Sequence, residues 1–223
     1  MRPVSFQRDF ISHPAGSCLA CFGDTKVICT ASIGTDLPPF LKGQGRGWVT
    51  AEYAMLPGST GGGRKKREIG ARDGRSTEIQ RLIGRSLRAG VDTQALGEIV
   101  ITLDCDVLQA DGGTRTAAIS GAWVALYDAL RRHGGPDLLR ALRGQIAAVS
   151  VGIVDDTVIC DLDYAHDSRA QVDMNVVMRD HDLVEVQGTG EQGVFNRHQL
   201  DALLDAAETG IALIQDAQRQ AMS

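Results

Sequence analysis

Short apolar runs separated by turn residues fill the first third of the chain, a pattern typical of β-strands. The runs are rich in Val, Ile, Thr and aromatic residues, which favour strands. They predict four strands, at residues 3–7, 17–22, 26–33 and 48–56. Gly-Asp-Thr at 23–25 is a tight-turn sequence that should join the second and third strands as a hairpin. Residues 37–47 and 59–74 are rich in glycine, and the first stretch also has two prolines, so both are predicted to be loops.

Helical periodicity begins after these loops. Ile79, Leu82, Ile83 and Leu87 recur every three or four positions, which predicts a helix with one buried face and arginines on another. A strand is predicted at 98–107, and a helix at 116–132 that is apolar nearly all round and should therefore lie between two layers. The sequence His-Gly-Gly-Pro at 133–136 should end it.

The second half has the same plan at smaller size. Strands are predicted at 146–154, 158–162, 172–178 and 183–187. Asn196 as N-cap and Gln199 in the capping-box position should begin a last helix. The pattern of strands followed by a helix occurs in both halves of the sequence, which predicts an α/β (α+β) fold. We expect a single domain over residues 1–223, with pseudo-repeated halves of about 1–134 and 135–223.

Composition indicates an ordinary globular protein. The chain has 223 residues, of which 43% are hydrophobic, and no apolar run approaches the roughly 20 residues that span a bilayer. Its start lacks the pattern of a secretory signal, so we expect a cytoplasmic protein with no membrane partner. Five cysteines, mostly inside strand-like runs, are expected to be core thiols; Cys18 and Cys21 form a CxxC without the second ligand pair that a zinc site needs.

Charge is unevenly distributed. The net charge is −5, but the segment 64–88 has nine basic and three acidic residues, a local +6, which leaves −11 on the remainder. Such asymmetry points to a surface that faces a polyanion, although a solvated loop and helix face would have the same composition.

A candidate anion site is the sequence Asp-Gly-Gly-Thr-Arg-Thr at 111–116. It lies between a predicted strand and a predicted helix, so the amides of Gly113, Thr114 and Arg115 can lie at a helix N-terminus, which favours phosphate. Thr114 adds a hydroxyl donor, and Arg115 adds a charged fork. An ordinary loop with a capping threonine is the other interpretation.

Arg75 is a second candidate for binding an anion. It stands in the sequence Gly-Arg-Ser-Thr at 74–77, just before a predicted helix that Ser76 or Thr77 could cap. From that position an arginine can fold over the start of the helix. A lone arginine in a basic loop would otherwise be unremarkable.

An acidic cluster follows in the second half. Asp161, Asp163, Asp167 and Asp173 lie within 13 residues, and Asp161 and Asp163 should share one strand face. A hairpin could bring Asp167 and Asp173 together, and two carboxylates plus substrate phosphates commonly hold Mg²⁺. Turn aspartates and charges that protect a sheet edge are the alternative. His166 beside them is either a proton carrier or a surface residue.

Several ordered blocks of the sequence resemble the bacterial ribonuclease PH family. They occur over essentially the whole chain: FGDTKVICTAS (22–32), GQGRGWVTAEYAMLP (43–57), GRSTEIQRLIGRSLRA (74–89), ITLDCDVLQADGGTRTAAISGA (101–122), AAVSVGIV (147–154), DLDYAHDS (161–168), DMNVVM (173–178) and EVQGTGE (185–191). The resemblance implies a ribosomal-protein-S5-domain-2-like fold with two similar halves. That family usually has a basic arm ahead of the segment that begins here at Arg2, so the resemblance assigns no RNA contact of that arm to a residue of this sequence.

The resemblance also implies an activity. Members are phosphate-dependent 3′-to-5′ exoribonucleases, or tRNA nucleotidyltransferases, which assemble as homo-hexamers (trimers of dimers). They trim the 3′ ends of transfer RNA precursors, with ribosomal RNA as a further substrate class, and release nucleoside diphosphates reversibly. Inorganic phosphate is the co-substrate, and Mg²⁺ or Mn²⁺ is the expected metal.

By resemblance each candidate residue receives a role. Phosphate is held by Arg75, Gly113, Thr114 and Arg115, while Asp167 and Asp173 hold the metal and act in catalysis together with Arg75. The residues expected to bind RNA are all basic: Arg64, Lys65, Lys66, Arg67, Arg72 and Arg81.

Two other functions remain to be weighed. A non-catalytic RNA-binding ring subunit of an exosome-like assembly would have the same fold, but such subunits typically lose the phosphate arginine or the metal carboxylates. A Mg²⁺-dependent hydrolase that uses water would leave the anion site without a purpose. The identity of the released nucleotide distinguishes these alternatives.

Overall fold

The computed structural model describes residues 1–64 and 74–223, and its first half is built on a five-stranded sheet. The strands are β1 (Val4–Arg8), β2 (Gly16–Phe22), β3 (Thr25–Gly34), β4 (Trp48–Met55) and β5 (Val100–Gln109). They lie in the order β1-β2-β3-β5-β4. Neighbouring strands are antiparallel except β4 and β5, which run parallel and therefore end at the same edge of the sheet. Helix α1 (Gly74–Ala89) lies between these two strands in the chain and packs on β4.

A four-stranded antiparallel sheet forms the second half. Its strands are β6 (Ile146–Val154), β7 (Thr157–Cys160), β8 (Val172–Arg179) and β9 (Asp182–Gly190), in the order β7-β6-β8-β9. A single helical turn, α3 (Tyr164–Asp167), interrupts the connection from β7 to β8. The last helix, α4 (Arg197–Met222), begins with the capping box of Asn196 and Gln199 that the sequence predicts.

Helix α2 (Thr114–Leu139) lies between the two sheets. It packs on β2 and β3 of the first sheet and on β6 of the second, and residues on all of its faces are buried. This explains why its sequence is apolar nearly all round. The helix is broken at Gly135, whose φ of 57° and ψ of −143° are not helical, so the His-Gly-Gly-Pro sequence ends the regular helix as predicted.

One hydrophobic core extends through both halves of the chain. The apolar stripe of α4, which includes Leu203, Ala207 and Ile214, packs against β6, and α4 also contacts β1 of the first sheet. The five cysteines carry free thiols, and three of them, Cys18, Cys29 and Cys105, are buried. Within the described ranges no helix combines the length and the apolar character needed to cross a membrane.

Three local expectations from the sequence were wrong. Strand β7 ends at Cys160, and Asp161 has a left-handed backbone with a φ of 67°, so Asp161 and Asp163 do not share a strand face. Helix α1 begins at Gly74, which places Arg75 in its first turn rather than ahead of a cap. Helix α2 begins at Thr114, two residues earlier than predicted, with Gly113 in the N-cap position. Asp161 and the start of α2 are held by contacts with distant residues, Arg2, Thr25 and Tyr53, which the local sequence pattern does not reveal.

Candidate active site

A cavity of about 1480 Å³ lies at the edge where β4 and β5 end, and its walls include both sheets. The first half contributes Arg75 from α1, the loop after β5 and the start of α2. The second half contributes α3 and the facing parts of β8 and β9. The cavity is lined by every residue that the sequence assigned to phosphate or metal binding: Arg75, Gly113, Thr114, Arg115, Asp167 and Asp173.

The loop at 111–113 turns sharply because it has two glycines with a left-handed backbone. A Cβ on Gly112 would lie 2.4 Å from the carbonyl oxygen of Leu162, so no larger residue fits there. Gly113, with a φ of 64°, is the N-cap of α2, and as a glycine it has no side chain with which to cap the helix. The first amides of α2 therefore lack the usual side-chain acceptor and can donate to an anion in the cavity.

Side chains from distant parts of the chain hold this loop in place. The Thr25 hydroxyl donates to the carbonyl oxygen of Gly112 at 2.6 Å and accepts from the amide of Asp111 at 2.9 Å. Arg2 donates to the carbonyl oxygen of Asp111 and forms an ion pair with Asp161, Nη2 to Oδ1 at 2.6 Å. Both charged side chains are largely buried, with exposures of 15% and 1%. Asp161 is thus occupied by a structural ion pair and is not available as a metal ligand.

Thr114 is oriented by a buried tyrosine. The Tyr53 hydroxyl on β4 donates to Thr114 Oγ1 at 2.9 Å, and both residues are buried. Since Thr114 Oγ1 accepts this hydrogen bond, its own hydrogen can donate to a ligand. Burial raises the pKa of Tyr53, so its proton stays on the phenol. The sequence had indicated Tyr53 only as a buried strand position, because nothing local reveals the partner of its hydroxyl.

Arg115 has a buried donor that none of the described residues accepts from. Its Nη2 pairs with Glu78 Oε2 at 3.2 Å, and Gln187 on β9 donates to the other oxygen of Glu78 at 3.3 Å. Its Nε is buried, yet it finds no hydrogen-bond acceptor in the part of the chain that the structure describes. The Arg115 side chain as a whole is 23% exposed and lines the cavity, so its exposed part can bind an anion there.

Arg75 completes the positive side of the cavity. It is exposed in the first turn of α1. Its charge, like that of Arg115, lowers the pKa of Asp167 and of Asp173, although other causes outweigh this effect. Arg75 therefore lies within electrostatic range of both carboxylates.

Asp167 and Asp173 form the negative side of the cavity. Asp167 is the last residue of α3, and Asp173 lies on β8, opposite Gly152 of β6 and Thr189 of β9. Burial raises the pKa of Asp167. Burial and then the charge of Asp167 raise the pKa of Asp173 to about 6. The charge of Asp167 thus makes ionisation of Asp173 less favourable, as expected of two carboxylates that share a site.

This pair is suited to a divalent cation. No group of three His, Cys, Asp or Glu side chains with metal-binding geometry occurs among the described residues, so a cage made of protein ligands alone is not what these residues form. Mg²⁺ needs only one or two carboxylates when substrate phosphates and water supply the rest. A cation at Asp167 and Asp173 would also remove the repulsion that raises the pKa of Asp173.

The other acidic residues of the cluster have local roles. Asp163 is the N-cap of α3, and its Oδ1 accepts from the amide of His166 at 2.9 Å. His166 Nδ1 lies 2.7 Å from the same oxygen, and His166 does not line the cavity. The histidine therefore belongs to the cap of α3 and is not placed to act on a ligand.

The residues expected to bind RNA are only partly described. Arg64 lines the cavity, whereas Lys65, Lys66, Arg67 and Arg72 lie outside the described residues. Arg81 is exposed on α1 and lines a separate depression of about 320 Å³ with Glu78 and Arg85. Arg85 is held there by Glu185 of β9, Nη2 to Oε1 at 2.6 Å.

The raised pKa of Asp173 has a measurable effect on stability. Its folded value of about 6 exceeds the unfolded value of roughly 3.9. The folded protein therefore holds a proton between these two pH values that the unfolded chain releases, and stability falls as pH rises from 4 to 6. We expect Asp173→Asn at pH 7.5 without divalent cations to be more stable than the wild type, by at most about 3 kcal/mol.

Urea unfolding of both proteins across this pH range measures the difference, with exposed Asp205→Asn on α4 as the matched control. Added Mg²⁺ should stabilise the wild type and so reduce the difference in free energy of unfolding between the wild type and Asp173→Asn. If Asp173→Asn were less stable than the wild type at every pH, the ionised carboxylate of Asp173 would not be destabilised in the folded protein.

Two family descriptions match the sequence. The 3′ exoribonuclease family, domain 1, matches residues 1–131, and the 3′ exoribonuclease family, domain 2, matches residues 144–210. Together they cover most of the chain, and they include both sides of the cavity.

Solved structures have the same fold. Rrp46 of rice (Oryza sativa) aligns over 100% of this chain and 96% of its own, with a TM-score of 0.81 and 17% sequence identity. An Archaeoglobus fulgidus exosome structure with RNA bound to the active site aligns over 96% of this chain and 87% of its own, with a TM-score of 0.79 and 22% identity. At these identities the likeness concerns the fold, and it confirms the predicted α/β class with ribonuclease PH-like domains. The chain belongs to the 3′ exoribonuclease family, whose two domains it contains in order.

Proposed function

We propose that this protein is a phosphate-dependent 3′-to-5′ exoribonuclease of the bacterial ribonuclease PH type. One observation carries the proposal: a single cavity combines a glycine loop and two arginines suited to phosphate with a strained carboxylate pair suited to Mg²⁺ or Mn²⁺. A hydrolase would need the second feature but not the first. The substrates are 3′ ends of transfer RNA precursors and of other RNAs, so the activity is that of a tRNA nucleotidyltransferase.

Phosphate is a weak nucleophile that must approach another anion. The amides at the start of α2, the Thr114 hydroxyl and the guanidinium of Arg115 are donors at the cavity wall that can hold its oxygens. Arg75 adds positive charge from α1, within electrostatic range of both carboxylates. Because these groups are fixed before the ligand arrives, they neutralise the nucleophile without reorganisation.

The reaction replaces one phosphate ester with another. An oxygen of inorganic phosphate attacks the phosphorus between the last two nucleotides, and the bond from that phosphorus to the 3′ oxygen breaks. The terminal nucleotide leaves as a 5′-diphosphate, and the shortened RNA takes a proton on its new 3′ hydroxyl. No covalent enzyme intermediate is needed, and the similar energies of the two esters make the step reversible.

Asp167 and Asp173 would hold the divalent cation, which supplies positive charge to the phosphoryl oxygens when bound. Both carboxylates must be ionised for this role. Since the pKa of Asp173 is about 6 without a cation, protons and metal compete for the site below that pH.

The expected partners follow from the same proposal. Arg64 places positive charge in the cavity wall, where it can contact the RNA backbone. We further propose a homo-hexamer in the form of a trimer of dimers, which light scattering of the purified chain tests directly.

The product identifies the activity. A transfer RNA precursor, labelled within its 3′ trailer, is incubated with the full chain and Mg²⁺, with and without inorganic phosphate. We expect nucleoside 5′-diphosphates only when phosphate is present. With excess nucleoside diphosphate and no phosphate, the same protein should extend the RNA.

Other products would contradict the proposal. Monophosphates released without phosphate would indicate a hydrolase. RNA binding without any product, in either direction, would indicate a non-catalytic ring subunit.

A further inference from the structure

We propose that Tyr164 is a stacking platform for a nucleobase next to the scissile bond of the RNA. This proposal rests on the proposed function and adds a recognition residue to the same cavity. It begins from the exposure of the ring: the residue is 66% exposed although it is a large aromatic.

The position of this ring is unusual among the apolar side chains. Among the described residues, the other large hydrophobic side chains with high exposure, such as Phe40, Leu183 and Val194, do not line the cavity. Tyr164 does, beside Asp111, Asp167 and Ser168. An interface between subunits would be expected to place other exposed apolar groups around it, but these neighbours are polar.

The backbone of Tyr164 is tied to both halves of the site. Its amide donates to Asp111 Oδ1 at 3.3 Å, and Asp111 directly precedes the two glycines of the anion loop. Its carbonyl oxygen accepts from the amide of Ser168 at 3.0 Å, in the helical turn that contains Asp167. Tyr164 is therefore fixed with respect to both the anion loop and the carboxylate pair.

Within the described part of the chain, the Tyr164 ring is not engaged in a hydrogen bond or a stacking contact. Its hydroxyl makes no hydrogen bond to any described residue, and the ring is not stacked on another aromatic side chain there. An uncovered aromatic face beside a phosphodiester site is what single-stranded nucleic acids use, because every base has a face that stacks regardless of sequence. An exonuclease that removes all four nucleotides needs this kind of tolerant contact.

The test compares RNA ligands that lack one base. A labelled single-stranded RNA is titrated with the full chain in Mg²⁺ without phosphate, and two further RNAs carry an abasic site at the 3′-terminal or the penultimate position. We expect Tyr164→Ala to weaken binding of the complete RNA by about 5- to 150-fold. One of the two abasic RNAs should bind the wild type about as weakly as the complete RNA binds Tyr164→Ala. The affinity for that abasic RNA should fall little further when Tyr164 is replaced by alanine.

Two further variants sharpen the result. Tyr164→Phe keeps the ring, so it should keep the distinction between complete and abasic RNA. Phe40→Ala removes another exposed aromatic, which lies away from the cavity against Trp48, and should leave that distinction and the affinity unchanged.

Equal weakening of the complete RNA and both abasic RNAs by Tyr164→Ala would overturn the proposal, as would no weakening at all. RNA that is shortened during the titration without phosphate would instead overturn the phosphorolytic function, while the abasic comparison still decides the role of Tyr164.

Discussion

Asp167→Asn should reduce the rate of RNA shortening by at least about 10²- to 10³-fold while the fold and the assembly remain intact. Asp167 lies at the end of α3, where it lines the cavity, and its charge helps to raise the pKa of Asp173. The amide has nearly the same shape, but it lacks the charge that binds a divalent cation. The loss should therefore appear in the rate of chemistry rather than in folding.

Three measurements define this result. Single-turnover rates at saturating RNA and phosphate measure how far the rate of RNA shortening falls. Light scattering and thermal unfolding test whether the variant is assembled and folded. Asp205→Asn on α4 makes the same chemical change at an exposed position and should leave the rate unchanged. Turnover near the wild-type rate in Asp167→Asn would show that this carboxylate does not hold the metal.

Arg75→Ala should weaken phosphate binding by about 10- to 150-fold, with little change in RNA binding. A charge-assisted hydrogen bond contributes about 1.5–3 kcal/mol, and removing it leaves the bound phosphate with Arg115 and the start of α2. The effect should appear in the KM for phosphate. In the reverse reaction it should appear in the KM for nucleoside diphosphate, because the β-phosphate of that nucleotide occupies the same place.

Two control variants are compared with Arg75→Ala: a lysine substitution at the same position and an alanine substitution of an arginine outside the cavity. Arg75→Lys keeps the charge but not the planar fork and should fall between the wild type and Arg75→Ala. Arg131→Ala removes an exposed arginine of α2 that does not line the cavity, so both KM values should stay at the wild-type level. Equal losses of phosphate and RNA affinity in Arg75→Ala would assign Arg75 to general electrostatics instead of the phosphate site.

The periodic parts of the sequence determined the secondary structure well. The strand alternation in the first third, the apolar stripe of α1 and the capping box of α4 each depend on neighbours within a few residues, so they are visible in a single sequence. The same holds for the glycine loop, because Gly112 and Gly113 between a strand and a helix predict a tight turn whatever surrounds it.

The acidic cluster is a feature whose roles could not be predicted from local sequence patterns. Four aspartates lie within 13 residues, and spacing alone treats them alike. In the structure Asp161 pairs with Arg2, Asp163 caps α3, and only Asp167 and Asp173 face the cavity. Arg2 lies 159 residues from Asp161, so no local pattern could have separated the structural aspartates from the candidate metal ligands.

By itself the sequence thus determined which elements form, that residues 111–113 make a tight turn between a strand and a helix, and which family the chain resembles. Only the tertiary structure decided that Tyr53 orients Thr114, that Glu78 pairs with Arg115, and that Tyr164 lines the cavity. The physical reason is that local propensities act between neighbours, whereas burial, hydrogen-bond partners and pKa shifts depend on which distant groups the packing of the two sheets around α2 brings together.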